Sequence, residues 1–136
     1  AQSFNQNISS WDTSSVTTMR GMFCLAISFN QNIGGWDVSK VTNMIDMFRN
    51  ALVFNQNIGG WDIGNLKYME GMLNGSGLSK ENYSATLVGW TNHISPPQGI
   101  SLGADGLIYC GPEAIGARDS LINDHGWSIT GDAVCN

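Results

Sequence analysis

The amino-acid sequence predicts an α/β solenoid, in which short parallel strands and short helical turns stack along one axis and an α/β cap closes the C-terminal end. The first observation is a block of 25 residues that occurs three times, at 4–28, 29–53 and 54–78. The second is the fidelity of the copies, because the first matches the second at 14 of 25 positions and the second matches the third at 11 of 25. The third is that this pattern stops near residue 78, after which other helix and strand signals follow.

The chain therefore divides into a repeat region, residues 1–78, and a C-terminal capping region, residues 79–136. Residues 1–3 have the phase of the end of a repeat, so we expect them to be the tail of a further, truncated copy. The third copy drifts in its second half, where Leu66 and Lys67 replace the Val and Thr of the other copies. This drift is typical of the last repeat of an array.

The composition argues against two classes of partner. The 136 residues carry a formal net charge of -5 with only six Lys plus Arg, so the chain lacks the basic surface that phosphate contacts require. Nucleic acid is therefore not an expected partner. No apolar run approaches the roughly 18 residues needed to cross a bilayer, and no charged-then-apolar export signal opens the sequence. We expect no membrane insertion by this segment, and we expect any signal or anchor to lie outside it.

Each repeat is predicted to contain one short strand and one helical turn. The strand covers residues 11–16, 36–41 and 61–66, which mix aromatic, β-branched and small side chains. An apolar row at helical spacing follows, and it includes all six methionines of the chain: Met19, Met22, Phe23, Met44, Met47, Phe48, Met69, Met72 and Leu73. Thr17 and Thr42 are placed to cap these turns. Core filling explains the methionines, and copper binding or an adaptable hydrophobic groove is the alternative.

The first half of the capping region predicts a helix followed by two strands. Ser79 is a suitable N-cap for the helix. The side chains on its apolar face, at positions i, i+4 and i+7, are Tyr83, Leu87 and Trp90. A Pro-Pro pair then interrupts the chain. Residues 100–102 and 107–109 predict two short strands joined by a tight turn at 103–106.

The second half predicts another helix, from about residue 112 to residue 125. Pro112 suits the first helical position, and His125 and Gly126 supply a cationic end and a C-cap glycine. The apolar stripe of this helix comprises Ala114, Ala117, Leu121 and Ile122. Trp127 and Ile129 then alternate with polar residues as a final strand, which we expect to join the open edge of the repeat sheet.

The repeat motif F-N-Q-N-I-x-x-W-D-x-S-x-V-T-x-M-x-x-M-F, at a period of 25 residues, resembles that of the BspA-type leucine-rich-repeat surface proteins. The resemblance covers residues 1 to about 78, and the region that follows is similar to the cap of many bacterial members. It implies a leucine-rich-repeat-like fold and a secreted or cell-surface protein of the adhesin type, without enzymatic activity, found mainly in bacteria and some parasitic protists. Two departures are the near absence of leucine from the repeats and Gly64 in place of serine.

The three cysteines are not equivalent. Cys24 lies where the other repeats have Arg49 and Asn74, so we interpret it as an incidental free thiol. Cys110 and Cys135 flank the last predicted helix and strand, and their location and spacing predict a disulfide. Such a bridge would stabilise the cap by about 3 kcal/mol and would imply an oxidising, extracellular or cell-surface location. The alternative is three unpaired buried thiols.

Candidate chemistry is restricted to the polar residues of the repeats. Asp12, Asp37 and Asp62 would lie about 4.8 Å apart if their strands were in register. They would either cap turns or share a calcium ion, and we predict turn capping and no metal site. The repeated Asn and Gln side chains suit hydrogen bonds within the stack. Their positions are Asn5, Gln6, Asn30, Gln31, Asn55 and Gln56.

Motifs of catalysis and cofactor binding are missing from the sequence. There is no serine nucleophile elbow, phosphate loop or paired-cysteine zinc spacing, and residues 103–106 do not form a dinucleotide fingerprint. His93 and His125 are not at ligand spacing with any Cys or carboxylate cluster. We therefore expect neither enzymatic activity nor a cofactor.

The remaining functions are binding functions. The first hypothesis is a protein–protein module that presents a polar surface to a host or matrix protein. The residues of that surface are Asp12, Ser14, Asp37, Ser39 and Asp62. The second is a module for a repetitive lattice, such as a polysaccharide or ice, and the third is a passive stalk of a larger surface protein. Variation between repeats favours protein recognition over a lattice. The varying positions are Thr13, Val38 and Ile63, and Ser15, Lys40 and Asn65.

The first repeat is also expected to associate with another copy of the chain. No capping helix precedes it in the sequence, so its apolar side chains should be uncovered on one side. The side chains expected there are Phe4, Ile8, Trp11 and Met19.

Overall fold

The computed structural model describes residues 2–93 and 96–136, so the predicted role of Ala1 lies outside the described residues. All of its helices and strands lie in the capping region. They are α1 (Lys80–His93), β1 (Ser101–Gly103), β2 (Ile108–Tyr109), α2 (Pro112–His125), β3 (Ser128–Thr130) and β4 (Ala133–Val134). Within the described part of the chain, neither helix is long and apolar enough to cross a membrane.

One parallel ladder connects the repeats and the cap. Thr18 forms a parallel bridge with Asn43, and Asn43 forms one with Tyr68. Met69 then bridges to Leu102 of β1, and β1 pairs in parallel with β3. The order along the ladder is therefore first, second and third repeat, β1 and β3. The final strand joins this ladder through β1 and not through a repeat directly.

The repeats consist of consecutive turns, and the strands predicted at 11–16, 36–41 and 61–66 are absent there. The backbone at these positions bends too sharply to be a strand. The backbone N–H of Trp11 donates to the Ile8 carbonyl at 3.1 Å, and the backbone N–H of Val16 donates to the Thr13 carbonyl at 3.0 Å. The parallel pairing occurs instead just after these turns, at Thr18 and its copies.

The prediction of helical turns around Met19 is also wrong, as the backbone hydrogen bonds show. Met19 donates to the Asn43 carbonyl of the next repeat at 2.8 Å, so its N–H is not used in a helix. Gly21 has a φ of 64°, in the left-handed region that an α-helix excludes. Asp46 and Gly71 have the same conformation in the other copies. Each segment is thus a series of turns bonded to the neighbouring repeat, and Thr17 and Thr42 have no helix to cap.

Aromatic side chains fill the space between successive repeats. Phe29 and Phe54 stack with ring centroids 6.0 Å apart, and Phe48 stacks on Phe54 at 4.1 Å. The Trp36 indole donates to the Ile8 carbonyl at 3.1 Å. All methionines except Met22 are buried: Met19, Met44, Met47, Met69 and Met72. The three positions that we expected to vary on the surface are buried as well: Thr13, Val38 and Ile63.

The first repeat exposes fewer apolar side chains than expected. Ile8 and Met19 are buried, because they pack inward within the repeat core, and Phe4 is half-buried. Trp11 is exposed.

Helix α1 covers the third repeat and reproduces its contacts. The predicted helix is confirmed, and the Ser79 hydroxyl accepts a hydrogen bond from the Asn82 N–H at 3.2 Å, which makes Ser79 the N-cap. The apolar face is buried as predicted: Tyr83, Leu87 and Trp90. The Trp90 indole donates to the Ile58 carbonyl at 3.0 Å, as the indole of a further repeat would.

Helix α2 covers Pro112–His125, the predicted range. It ends at Gly126, whose φ of 70° permits the Trp127 N–H to reach the Leu121 carbonyl at 2.9 Å. The two strands predicted at 100–102 and 107–109 are present as β1 and β2, but they do not pair with each other, because β1 pairs with β3 and β2 pairs with β4, both in parallel. Strand β1 already contacts the third repeat on one side, where the Leu73 N–H donates to the Gly103 carbonyl, and β3 on the other.

Two long-range links fasten the end of the chain to the cap. The Tyr83 hydroxyl donates to Asp132 at 2.6 Å, and Arg118 donates to both carboxylate oxygens at 2.9 and 2.7 Å. Burial, followed by the bond to Asp132, raises the pKa of Tyr83 above its ordinary value, so the phenol remains a donor. The predicted disulfide is confirmed, since Cys110 and Cys135 are bonded with Cα atoms 5.3 Å apart.

We predict that Asp132→Ala lowers the free energy of unfolding by about 3 kcal/mol, because it leaves a partly buried guanidinium and a buried phenol without their acceptor. Equilibrium unfolding in urea measures the loss. Asp119→Ala, at an exposed position of α2, is the matched control and should change stability by less than about 0.5 kcal/mol. Equal losses in the two variants would contradict this role of Asp132.

Removal of the disulfide should destabilise the cap. The double substitution Cys110→Ser and Cys135→Ser is expected to lower the free energy of unfolding by about 3 kcal/mol, since the unfolded chain loses its cross-link. Thermal and urea unfolding under non-reducing conditions would measure this difference. Cys24→Ser, which removes a thiol outside the bridge, should leave the transition close to that of the parent chain.

Candidate functional site

The five residues predicted for the binding surface form three equivalent turns. The Asp12 carboxylate accepts hydrogen bonds from the Ser14 N–H at 3.0 Å and from the Ser14 hydroxyl at 2.6 Å. Asp37 and Ser39 repeat both distances. Asp62 accepts only the N–H of the residue two positions on, at 2.9 Å, because that residue is glycine. The turns result from local side-chain bonding that competes with regular secondary structure.

Hydrogen bonds between repeats hold these turns beside one another. The Thr13 hydroxyl donates to the Asp37 carbonyl at 2.9 Å, and the Asn65 amide donates to the Ser39 carbonyl at 2.7 Å. Asp12 and Asp37 are exposed, and the other three predicted residues are partly exposed. We call this set the turn surface: Asp12, Ser14, Asp37, Ser39 and Asp62.

The local hydrogen bonds favour the charged forms of two of these carboxylates, those of Asp12 and Asp37. The Ser14 hydroxyl, and after it the Ser14 N–H, lowers the pKa of Asp12 from its ordinary value. Ser39 lowers the pKa of Asp37 in the same way, with help from Lys40, while the charge of Asp12 opposes the shift. In both cases the hydrogen bonds within the turn have the larger effect, so the net change in pKa is downward.

The geometry agrees with turn capping. Across residues 2–93 and 96–136, no group of three or more His, Cys, Asp or Glu side chains is placed to hold a metal ion. The carboxylates can accept further hydrogen bonds or pair with a cation from outside, so the turn surface is suited to polar recognition.

The structure adds exposed residues that the sequence analysis did not single out. The bridge positions Thr18 and Tyr68 are exposed and Asn43 is partly exposed, so this row differs in size from repeat to repeat. The positions two residues further along carry Arg20, Ile45 and Glu70, which differ in charge. The two rows flank the methionine that occupies the same position in every repeat: Met19, Met44 and Met69. The variation of both rows between the three copies was the signal that could have identified them.

The Asn and Gln rows are used inside the stack of repeats, as predicted. The Asn5 side-chain oxygen accepts from the Asn30 N–H at 2.9 Å and from the Gln31 amide at 2.9 Å. The Asn30 oxygen accepts from the next repeat in the same way. Since each of these oxygens already accepts two bonds, the rows contribute mainly to cohesion.

A depression of about 310 Å³ lies between α1 and α2. Its polar lining includes Thr91, Asn92 and Glu113. The Thr91 hydroxyl donates to the Leu87 carbonyl at 2.9 Å, so it is engaged in its own helix. His125, at the end of α2, contacts the Gln98 amide at 3.0 Å, away from these lining residues. The side chain of His93 lies outside the described part of the chain.

We predict that Ser14→Ala raises the pKa of Asp12 toward its ordinary value of 3.8, because the largest of its stabilising bonds is lost. A carboxyl ¹³C NMR titration measures the change. A lowered pKa in the folded state means that the turn contributes stability above pH 3.8, which is lost as the pH falls through the folded-state value. Ser9→Ala, which removes a hydroxyl bonded to Asn7, should not alter this pKa. An unchanged value in Ser14→Ala would refute the assignment.

Comparison with known proteins gives one family match. Residues 1–86 match the family described as Mycoplasma protein of unknown function, DUF285. No curated protein and no solved structure matches the chain. Because the family match spans well over half of the 136 residues, the chain belongs to DUF285, a BspA-like repeat-associated family.

Proposed function

We propose that this chain is a non-catalytic module of a secreted or cell-surface protein, with a leucine-rich-repeat-like solenoid fold, and that it binds another protein through the turn surface. The observation that carries the proposal is the repetition of one capped turn on successive repeats above a buried aromatic and methionine core. Side chains held in this way lose little conformational freedom on binding, which favours affinity.

The composition of the surroundings supports a protein partner. Lys40 acts on Asp37 through its charge, and the exposed Lys67 and the half-exposed ring of Tyr68 follow Asp62 in the third repeat. The exposed residues of these repeats therefore include charges of both signs and an aromatic side chain. Tyrosine and mixed polar groups are typical of protein interfaces. A repetitive lattice would call for identical rows, and the rows that are most nearly identical, those of Asn and Gln, are engaged between repeats.

The proposed location outside the cytoplasm is supported by two observations. The Cys110–Cys135 disulfide is favoured in an oxidising compartment. The resemblance of the repeats to BspA-type surface proteins points the same way, and a bacterial origin agrees with the description of the family.

We predict that the triple variant Asp12→Asn, Asp37→Asn, Asp62→Asn keeps its fold but binds its partner about tenfold or more weakly. Asparagine already supports the same turns in this chain, since Asn7 accepts from Ser9 and Asn32 accepts from Gly34 at 3.0 Å. The substitutions therefore remove charge and leave the backbone bonds in place. Binding of the purified chain to an array of extracellular-matrix and host-surface proteins, followed by titration of each hit, is the measurement.

The matched control removes three charges elsewhere. Glu81→Gln, Asp119→Asn and Asp124→Asn lie on the helices of the cap and should leave the affinity unchanged. A loss of affinity in both triple variants would indicate a general charge effect and contradict the proposed surface. Glycan arrays and ice-recrystallisation assays run in parallel, and a response there would favour the lattice module. Silence in every assay would favour a passive stalk.

A further inference from the structure

Three segments of the chain have the Asn-x-Ser pattern of an acceptor for N-linked glycans, at 7–9, 74–76 and 82–84. A glycan is bulky and polar, so the asparagine that carries it has to lie on the surface and to have an amide nitrogen that the fold does not use. The serine hydroxyl, which completes the pattern, has to be accessible as well. The structure separates the three segments by these conditions.

The segment at 7–9 meets all of them. Asn7 and Ser9 are both exposed. The Asn7 amide oxygen accepts from the Ser9 N–H at 3.0 Å and from the Ser9 hydroxyl at 2.6 Å, which fixes the side chain. The Asn7 amide nitrogen has no hydrogen-bond partner among residues 2–93 and 96–136. The oxygen therefore holds the turn, and the nitrogen is left for a new bond.

The exposure of Asn7 is a property of its position in the repeat. Asn32 occupies the same position in the second repeat and is exposed as well, although a repeat lies on each side of it. The second and third repeats have Gly34 and Gly59 in place of Ser9, so their exposed asparagines lack the hydroxyl of the acceptor pattern. Only the first of the three repeats combines both groups at this position.

The segment at 82–84 is used inside the fold. The Asn82 amide nitrogen donates to the Asn55 carbonyl at 3.2 Å and to the Asn55 side-chain oxygen at 2.9 Å. The Ser84 hydroxyl accepts from the Cys110 N–H at 2.9 Å. A glycan on Asn82 would replace one of the two donated hydrogens and would have to fit between α1 and the third repeat. A folded chain therefore cannot carry it.

The segment at 74–76 is also engaged. The Asn74 side-chain oxygen accepts from the Asp105 N–H at 3.0 Å, which links the third repeat to the turn after β1. The Ser76 hydroxyl oxygen is buried, so an enzyme cannot reach it in the folded chain. Of the three segments, the structure leaves Asn7 as the acceptor.

We propose that Asn7 is a site of N-linked glycosylation, at which an oligosaccharide is transferred from a polyprenyl diphosphate donor outside the cytoplasm. The amide nitrogen forms a bond to the anomeric carbon of the sugar while the bond from that carbon to the diphosphate oxygen breaks. The diphosphate leaves with the electron pair, and one amide proton passes to a base of the transferase. This proposal rests on the proposed function only for the location outside the cytoplasm.

Export of the whole chain behind an added signal peptide, in a cell that has an oligosaccharyltransferase, tests the acceptor site separately from the natural location. The folded, exported chain is treated with peptide N-glycosidase in ¹⁸O-labelled water, which marks each formerly glycosylated asparagine. Peptide mass spectrometry then locates the label. We expect it at Asn7 and at neither Asn74 nor Asn82.

Ser9→Ala should lower the occupancy of Asn7 about tenfold or more, because the acceptor pattern is lost. The turn itself should persist, since Asn32 accepts from the Gly34 N–H at 3.0 Å without a hydroxyl. Ser9→Thr, which keeps the hydroxyl, should remain glycosylated. Ser15→Ala is the matched control, because it removes an exposed hydroxyl that does not follow an asparagine at this spacing. Circular dichroism checks that each variant is folded.

A folded, exported chain without a glycan at Asn7 would overturn the proposal, and so would equal occupancy in Ser9→Ala and the parent chain. A glycan at Asn74 or Asn82 of the folded chain would contradict the selection of Asn7 by the structure. Partner binding is measured on the unglycosylated Ser9→Ala chain. Failure of the turn surface to bind a partner is therefore distinguishable from failure of Asn7 to accept a glycan.

Discussion

The hydrogen bond from the indole N–H of Trp36, and of Trp61, to a carbonyl of the preceding repeat is the constraint on which much of this structure depends. Trp36 and Trp61 make this bond to Ile8 and Ile33, respectively, and all four residues are buried. A buried indole or carbonyl without a partner would cost about 1–3 kcal/mol, so the tryptophan position cannot vary freely. The cap obeys the same constraint by placing Trp90 on a helix, where its indole reaches the equivalent carbonyl. A helix can thus end a series of turns because it supplies the same donor at the same place.

Local signals predicted the elements of the cap better than their pairing. The bounds of α2 could be predicted because Pro112 and Gly126 mark its two ends through their own backbone preferences. The pairing of β1 could not, because its partners are the third repeat and β3, and both are distant in sequence. The same holds for the contact between Tyr83 and Asp132, which are 49 residues apart. Nothing in the local sequence of either residue indicates the other.

In the candidate site, too, the local structure could be predicted from the sequence and the longer-range arrangement could not. The turns of Asp12 and Asp37 were predictable, because a carboxylate and a serine two residues later bond locally. The direction of the neighbouring side chains was not. A strand would have placed alternate residues outward, but these segments are turns, and Thr13 and Val38 point into the core. The period of two that governs strands does not apply to a backbone that bends at nearly every residue.

The separation between invariant and variable positions has a physical basis. In the second and third repeats the phenylalanine and tryptophan side chains are buried, and Asn30 and Asn55 accept hydrogen bonds from the unit that follows, so these residues contribute most of the cohesion. Exposed positions such as Thr18 and Tyr68 contribute to the ladder through their backbone, which any non-proline residue can do. Side chains at those positions can therefore change without loss of stability. A recognition surface can diversify on such a structure while its interior stays constant.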